Sequence, residues 1–298
     1  MRVFVTGASG FVGSEVVREL TRHGHEVLGL VRSEEGAAHA AAAGATPLPG
    51  DVNDFALLRH GVSQTDAVIH TAFNHDFSRF KANCEDDRLV IGALGEALAG
   101  TDKPLVITSG IGLLRANRPV TEEDGPVAGS DVNPRVATEE AARAVSEKGV
   151  DVYLVRLPPS VHGAGDRGFV PMLIDLARNK GVSAFTGEGT NRWPAVHRQD
   201  AAALYRLAIE KRPSLKVLHA VAETGIPFRE IAETIGKGLS LPVAAMSGED
   251  IAAHFTWFAH FAVMDCAASA ERTRRETGWE PTGSGLLSDI REAGYLAV

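Results

Sequence analysis

The chain has 298 residues, 44% of them hydrophobic and 23% charged, which suits one large core with an appended lobe. Its formal charge of −8 argues against a nucleic-acid partner, and no apolar run is long enough to serve as a membrane span. Cys84 and Cys266 have no metal-like spacing and are expected as reduced, packed thiols; no metal is expected, and Met1 running almost directly into the first apolar segment implies a cytoplasmic chain without a secretory signal.

Val3-Phe4-Val5 predicts a strand near 2–6, and Thr6-Gly7-Ala8-Ser9-Gly10-Phe11-Val12-Gly13 then opens helical periodicity over 11–23. Strand, glycine-rich turn and helix in that order form the setting that brings backbone N–H groups and a helix N-terminus against a pyrophosphate. A second strand near 26–31 ends in Arg32-Ser33, where an acid would bind the ribose 2′-OH of NADH. A guanidinium and a hydroxyl suit a 2′-phosphate instead, so NADPH is expected over NADH; a surface pair of Arg32 with Glu34 or Glu35 is the other reading.

Further strands are expected near 45–48, 66–70, 104–108 and 151–155, with helices near 33–43, 53–60, 77–99 and 136–148 between them. After Pro158 the pattern loosens around Gly163, Gly165 and Gly168, then gives helices near 169–179 and 199–211 and a strand near 215–219. Helices near 227–239, 249–260, 268–277 and 284–293 complete the chain. The alternation predicts an α/β fold, a Rossmann-type doubly wound parallel sheet with a smaller, mostly helical C-terminal substrate lobe. Residues 1–157 are expected to form the cofactor domain and 158–298 the lobe, with part of 195–220 returning to the sheet.

The Gly-x-x-Gly-x-x-Gly spacing after Thr6 is followed in order by Gly50-Asp51-Val52, His70-Thr71-Ala72, Thr108-Ser109 and Leu157-Pro158-Pro159-Ser160-Val161-His162-Gly163. Together they resemble the extended and atypical branches of the short-chain dehydrogenase/reductase superfamily, the NAD-dependent epimerase/dehydratase type. The resemblance implies a dinucleotide held by Gly7, Ser9, Gly10, Phe11, Val12 and Gly13, with Asp51 and Val52 beside the adenine. It places Thr71, Ala72, Phe73, Ser109, Pro158 and Val161 along the rest of the cofactor; members of that family often form homodimers through the helices that here fall around 77–99 and 136–148, and the apolar pattern of the first reads equally as an interface or an ordinary buried face.

Family members that reduce carbonyls carry Tyr-x-x-x-Lys on the helix after the fifth strand. Here Arg135 and Glu139 stand where that pair should be, Ile111 takes the place of the aligned hydroxyl, and Ser109 is the nearest hydroxyl left. The candidate proton donors are therefore His75, with Asp76 to orient or charge it, and His162; Asn74-His75-Asp76 reads equally as helix-capping material, and His162 as a packed loop residue. Asn74, Arg135, Phe169 and Trp193 are candidates to touch substrate, while His197 and Asp200 are expected to brace the following helix. The reading is an NADPH-dependent reductase of a small, moderately hydrophobic ketone, aldehyde or imine. A non-catalytic NADP(H)-binding regulator and a nucleotide-sugar-type epimerase or dehydratase are the alternatives.

Overall fold

The computed structural model describes residues 1–296. Its frame is a seven-stranded parallel sheet of β1 (Arg2–Thr6), β2 (Glu26–Val31), β3 (Thr46–Pro49), β4 (Ala67–His70), β5 (Leu105–Gly110), β6 (Val152–Leu157) and β10 (Val217–His219). The order is β3-β2-β1-β4-β5-β6-β10, so the winding reverses between β1 and β4. That reversal opens a crevice at the carboxyl ends of the strands, the place where such sheets take ligands.

Both faces of the sheet are covered because its strands are apolar at nearly every position. Val3 and Val5 enter one core with Val16, Val17 and Leu20 of helix α1 (Phe11–Arg22), while Phe4 enters the other with Leu58 and Ile91. The first layer is completed by α2 (Glu34–Ala42) and α7 (Arg198–Lys211), the second by α3 (Phe55–Ser63), α4 (Phe80–Leu98) and α5 (Ala137–Glu147). Ile91, Leu94 and Leu98 of α4 are core residues, and Leu89 is 57% exposed.

The C-terminal half holds more strand than its sequence pattern showed. Strands β7 (Ser160–His162), β9 (Arg192–His197) and β11 (Glu223–Pro227) make one small sheet, and β8 (Ser183–Thr186) pairs with β12 (Val243–Met246) in another. Each is three to six residues long, and prolines at 194 and 227 and glycine at 225 obscure the alternation. Helices α6 (Phe169–Lys180), α8 (Phe228–Leu239), α9 (Glu249–Phe255), α10 (Ala259–Ala262), α11 (Glu271–Thr277) and α12 (Leu286–Glu292) pack around them. The single helix expected over 249–260 is broken at Thr256, whose φ of 51° is outside helical space. Among the described residues no helix is long and apolar enough to cross a membrane.

Candidate functional site

At the head of the crevice, α1 starts at Phe11 with Gly10 as its N-cap and no side chain capping it; its first turn carries no acid. The N–H groups of Phe11, Val12 and Gly13 precede the first intrahelical bond, Ser14 N to Gly10 O at 2.8 Å, and are free for an anion. Gly7 has φ +70°, and a Cβ there would lie 2.8 Å from the Ala72 amide. One at Gly13 would lie 2.0 Å from the Gly7 carbonyl, whereas one at Gly10 would meet only that oxygen at 3.2 Å. The fold itself thus demands Gly7 and Gly13. Gly10 faces open space, as a residue beneath an approaching phosphate must.

Beside this turn, Arg32 is exposed and makes no hydrogen bond or ion pair among the described residues, so the surface pair with Glu34 or Glu35 does not form. The Ser33 hydroxyl caps α2, accepting from Gly36 N at 3.0 Å. A Cβ at Gly36 would sit 3.1 Å from Ser9 Oγ and 3.2 Å from Ser33 Oγ, so both hydroxyls converge on the first turn of α2. Asp51 holds the turn after β3, its Oδ1 accepting from Asn53 N at 2.9 Å and from Asn53 Nδ2 at 2.8 Å. Capping of α3 falls to Asp54, and Val52 packs beside the second core.

The loop after β4 is tied to β1: Thr71 Oγ1 donates to Thr6 O at 2.7 Å, and the Ala72 amide reaches Thr6 Oγ1 at 3.4 Å. The expected pairing of Asp76 with His75 is not made. Asp76 accepts from Ser78 N at 3.0 Å and Ser78 Oγ at 2.6 Å, capping the short turn Phe77–Arg79, while Asn74 accepts from Asp76 N at 3.1 Å and binds Asn83. At the N-cap of the turn it starts, an Asp satisfies the amide two residues on before it can turn to a neighbouring imidazole. His75 instead packs edge-on against Phe73, with ring centroids 5.2 Å apart. His75 remains exposed, yet desolvation by the protein around its ring, then the charge of Arg135, pull its pKa below the ordinary value.

Arg135 is the side chain the structure brings to this point. Its guanidinium lies 4.0 Å over the Phe73 ring, Nη1 donates to Asp87 Oδ2 at 3.0 Å and to Thr138 Oγ1, and Nη2 reaches the Thr108 carbonyl at 3.3 Å. Asp87 is buried; its other oxygen meets His70 Nε2 at 2.9 Å, and His70 Nδ1 meets Thr6 Oγ1 at 2.7 Å. This chain from β1 through β4 and α4 to the head of α5 was not legible in the sequence, because its members are 64, 17 and 48 positions apart. Three hydrogen bonds leave the Arg135 Nε–H and one Nη2 hydrogen without an acceptor among the described residues.

Ser109 does not stand in the crevice as a hydroxyl ready to react. It is buried and donates to Glu139 Oε1 at 2.8 Å, and both Glu139 oxygens accept from Arg156, at 2.9 and 2.8 Å. His162 is likewise withdrawn, wholly buried, with Nδ1 2.6 Å from Asp289 Oδ2 of α12. Burial depresses its pKa more than Asp289 raises it. Pro158 lies on the short segment that joins β6 to β7, and Val161 precedes His162 within β7. His197 Nδ1 accepts from Gln199 N at 3.3 Å and Asp200 accepts from Thr282 N and Gly283 N at 2.9 Å, so both brace the start of α7.

Trp193 belongs to the core: it is 0% exposed and its indole donates to Met264 O at 3.2 Å. A flat indole flanked by Phe228 and Phe258 has no face left for substrate. Phe169 is half-buried against Phe261, with centroids 4.6 Å apart. The rings that cross the crevice are others: Phe73 touches Phe80, Phe80 stacks on Phe77, and Phe77 meets Trp257 at 5.4 Å and Phe261 at 6.2 Å. Trp257 remains 55% exposed. The cluster of Phe255, Trp257, Phe258 and Phe261 was visible in the sequence, but only the broken helix decides which of them face outward.

The sequence model of the NAD(P)H-binding family matches residues 7–186. An uncharacterized protein of Schizosaccharomyces pombe is 50% identical over 296 residues, covering 99% of this chain and 100% of that one. A 4-hydroxy-2-methyl-3-oxo-4-farnesyl-3,4-dihydroquinoline-1-oxide ketoreductase of Stigmatella aurantiaca is 30% identical over 189 residues, 60% of this chain and 56% of that one. Among solved structures, a dTDP-glucose 4,6-dehydratase of Streptomyces venezuelae with NAD bound superposes with a TM-score of 0.79 at 18% identity, covering 99% of this chain and 96% of that one. The glycine turn on an open helix end, the strand order and the sequence match agree: the chain belongs to the NAD(P)H-binding family, within the short-chain dehydrogenase/reductase superfamily.

Proposed function

We propose that this protein is an NADPH-dependent reductase of small, moderately hydrophobic ketones, aldehydes or imines. The observation that carries the reading is one crevice with an uncapped helix end, an unpaired Arg32 at its adenosine end, and Arg135 fixed over Phe73 at the other. The residues fit the cofactor: Phe11, Val12 and Gly13 offer amides to the pyrophosphate, and Arg32 with Ser9 and Ser33 would hold the 2′-phosphate. A nicotinamide dinucleotide bound there supplies the hydride.

A guanidinium is a donor and not a proton source, so the role of Arg135 is to stabilise an oxyanion through its two unused N–H groups. His75, which also packs against Phe73, or water delivers the proton. Phe77 and Trp257 give the apolar part of the substrate a surface, consistent with a ketoreductase among the relatives. The withdrawal of Ser109 and Glu139 into an ion pair with Arg156 favours, as the second reading, a silent NADP(H)-binding protein. Steady-state NADPH oxidation against a panel of aliphatic and aryl ketones, aldehydes and cyclic imines separates the two. Turnover with product formation is expected, and saturable NADPH binding with no turnover across the panel would leave the second reading.

A further inference from the structure

The first turn of α1 has a neighbour from the far half of the chain. α7 is the helix most extensively packed on α1, and it leads into β10, a strand parallel to β1, so both helices begin at the carboxyl edge of the sheet. Arg198, the first residue of α7, projects there with 21% of its side chain exposed. Its guanidinium lies 5.2 Å from the centre of the Phe11 ring, and its stem passes over Gly163, where a Cβ would come within 3.3 Å of Arg198 Cγ.

The one ionic contact it makes among the described residues does not account for it. Arg198 Nη2 is 3.4 Å from Glu15 Oε2 without hydrogen-bond geometry, and that carboxylate, 1% exposed, already accepts from Arg18 at 3.2 Å and Arg22 at 3.4 Å. Arg22 reaches that carboxylate from the last turn of α1 and Arg18 from its second half, so Arg198 is the guanidinium that stands beside the first turn, which carries the positive end of the helix dipole and no acid. A cation beside free amides is suited to a dianion.

We infer that Arg198 pairs with the pyrophosphate of the bound dinucleotide, closing the cofactor site from the C-terminal half of the chain. The inference rests on the cofactor reading above but not on the 2′-phosphate, because the pyrophosphate is common to NADPH and NADH. Glu15 keeps two arginines when Arg198 is removed, so the variants are expected to fold, and thermal unfolding of the free protein checks this.

Isothermal titration of wild type, Arg198→Ala and Arg198→Lys with NADPH, NADH and adenosine 2′-monophosphate makes the test; the last carries a 2′-phosphate and no pyrophosphate. Arg198→Ala is expected to weaken NADPH and NADH alike, by about 10- to 100-fold, and to lower the salt dependence of both. Arg198→Lys should recover part of the loss, and adenosine 2′-monophosphate should bind all three proteins equally. Unchanged affinity for both dinucleotides in Arg198→Ala would reduce Arg198 to a brace for Glu15. Loss of NADPH or adenosine 2′-monophosphate with NADH spared would move it to the 2′-phosphate, and either result overturns the inference while leaving the cofactor site standing. A wild-type protein that bound neither dinucleotide would overturn both.

Discussion

At the scale of single residues, the main surprise is Arg135. Sequence reasoning discounts it, because an arginine at the family's tyrosine position cannot act as a titrating acid. The proposed role is another one: Asp87, Thr138 and the Thr108 carbonyl fix the guanidinium on Phe73 with donors to spare. Arg135→Ala is therefore expected to lower kcat by about 10²- to 10³-fold with little effect on NADPH affinity, the size of losing an oxyanion donor. A variant with unchanged kcat and raised KM would make Arg135 a simple binding residue. His75 has its own signature. As a general acid it must be protonated, so the rate falls as pH rises through its pKa, and desolvation and Arg135 place that limb below the range of an ordinary histidine. His75→Ala should abolish this limb in single-turnover hydride transfer; a limb that survives makes water the donor.

At the scale of elements, the glycine turn separates what the fold needs from what the ligand needs. Gly13→Ala puts a Cβ into the Gly7 carbonyl and is expected to lower the thermal midpoint of the free protein. Gly10→Val, at φ −72°, should leave that midpoint close to wild type and abolish dinucleotide binding. Equal NADPH affinity in Gly10→Val would show the motif to be a turn only. The sheet strands and their crossover helices were legible because long apolar runs alternate with 3.6-residue periodicity over whole elements. Strands β7, β9 and β11 were not, because three to six residues interrupted by Pro194, Gly225 and Pro227 carry no period. The helix expected over 249–260 failed at Thr256 for a related reason: nothing in the composition there marks a positive φ.

At the scale of the molecule, buried polar chains tie sequence-distant parts together, and their titration sets the stability. His219 bridges Arg156 and the Ser269 carbonyl, and burial lowers its pKa to about 4 from 6.5. The unfolded chain then binds the extra proton first, so stability is full above pH 6.5 and declines as pH falls toward about 4. His75 and His162 act in the same direction, and Glu140, held near 2 mainly by the Ser130 hydrogen bonds, adds a further loss below about 4.5. Thermal midpoints measured from pH 8 to 4 should be flat above 7 and fall below 6.5, with a shallower fall in His219→Asn; an unaltered slope would free His219 of this role. None of these partners was legible in the sequence, since pairing Arg156 with Glu139 and His219 requires the sheet order, which no local pattern encodes.

The claim on which the account turns is the proposal of a dinucleotide site that selects the 2′-phosphate through the exposed, unpaired Arg32. Titration of wild type and Arg32→Ala with NADPH and NADH addresses it most directly. Wild type should bind NADPH at least about 10-fold more tightly than NADH, the scale of a charge-assisted phosphate contact, and Arg32→Ala should erase the difference by weakening NADPH alone. Equal wild-type affinities, or equal losses for both cofactors in Arg32→Ala, would contradict it.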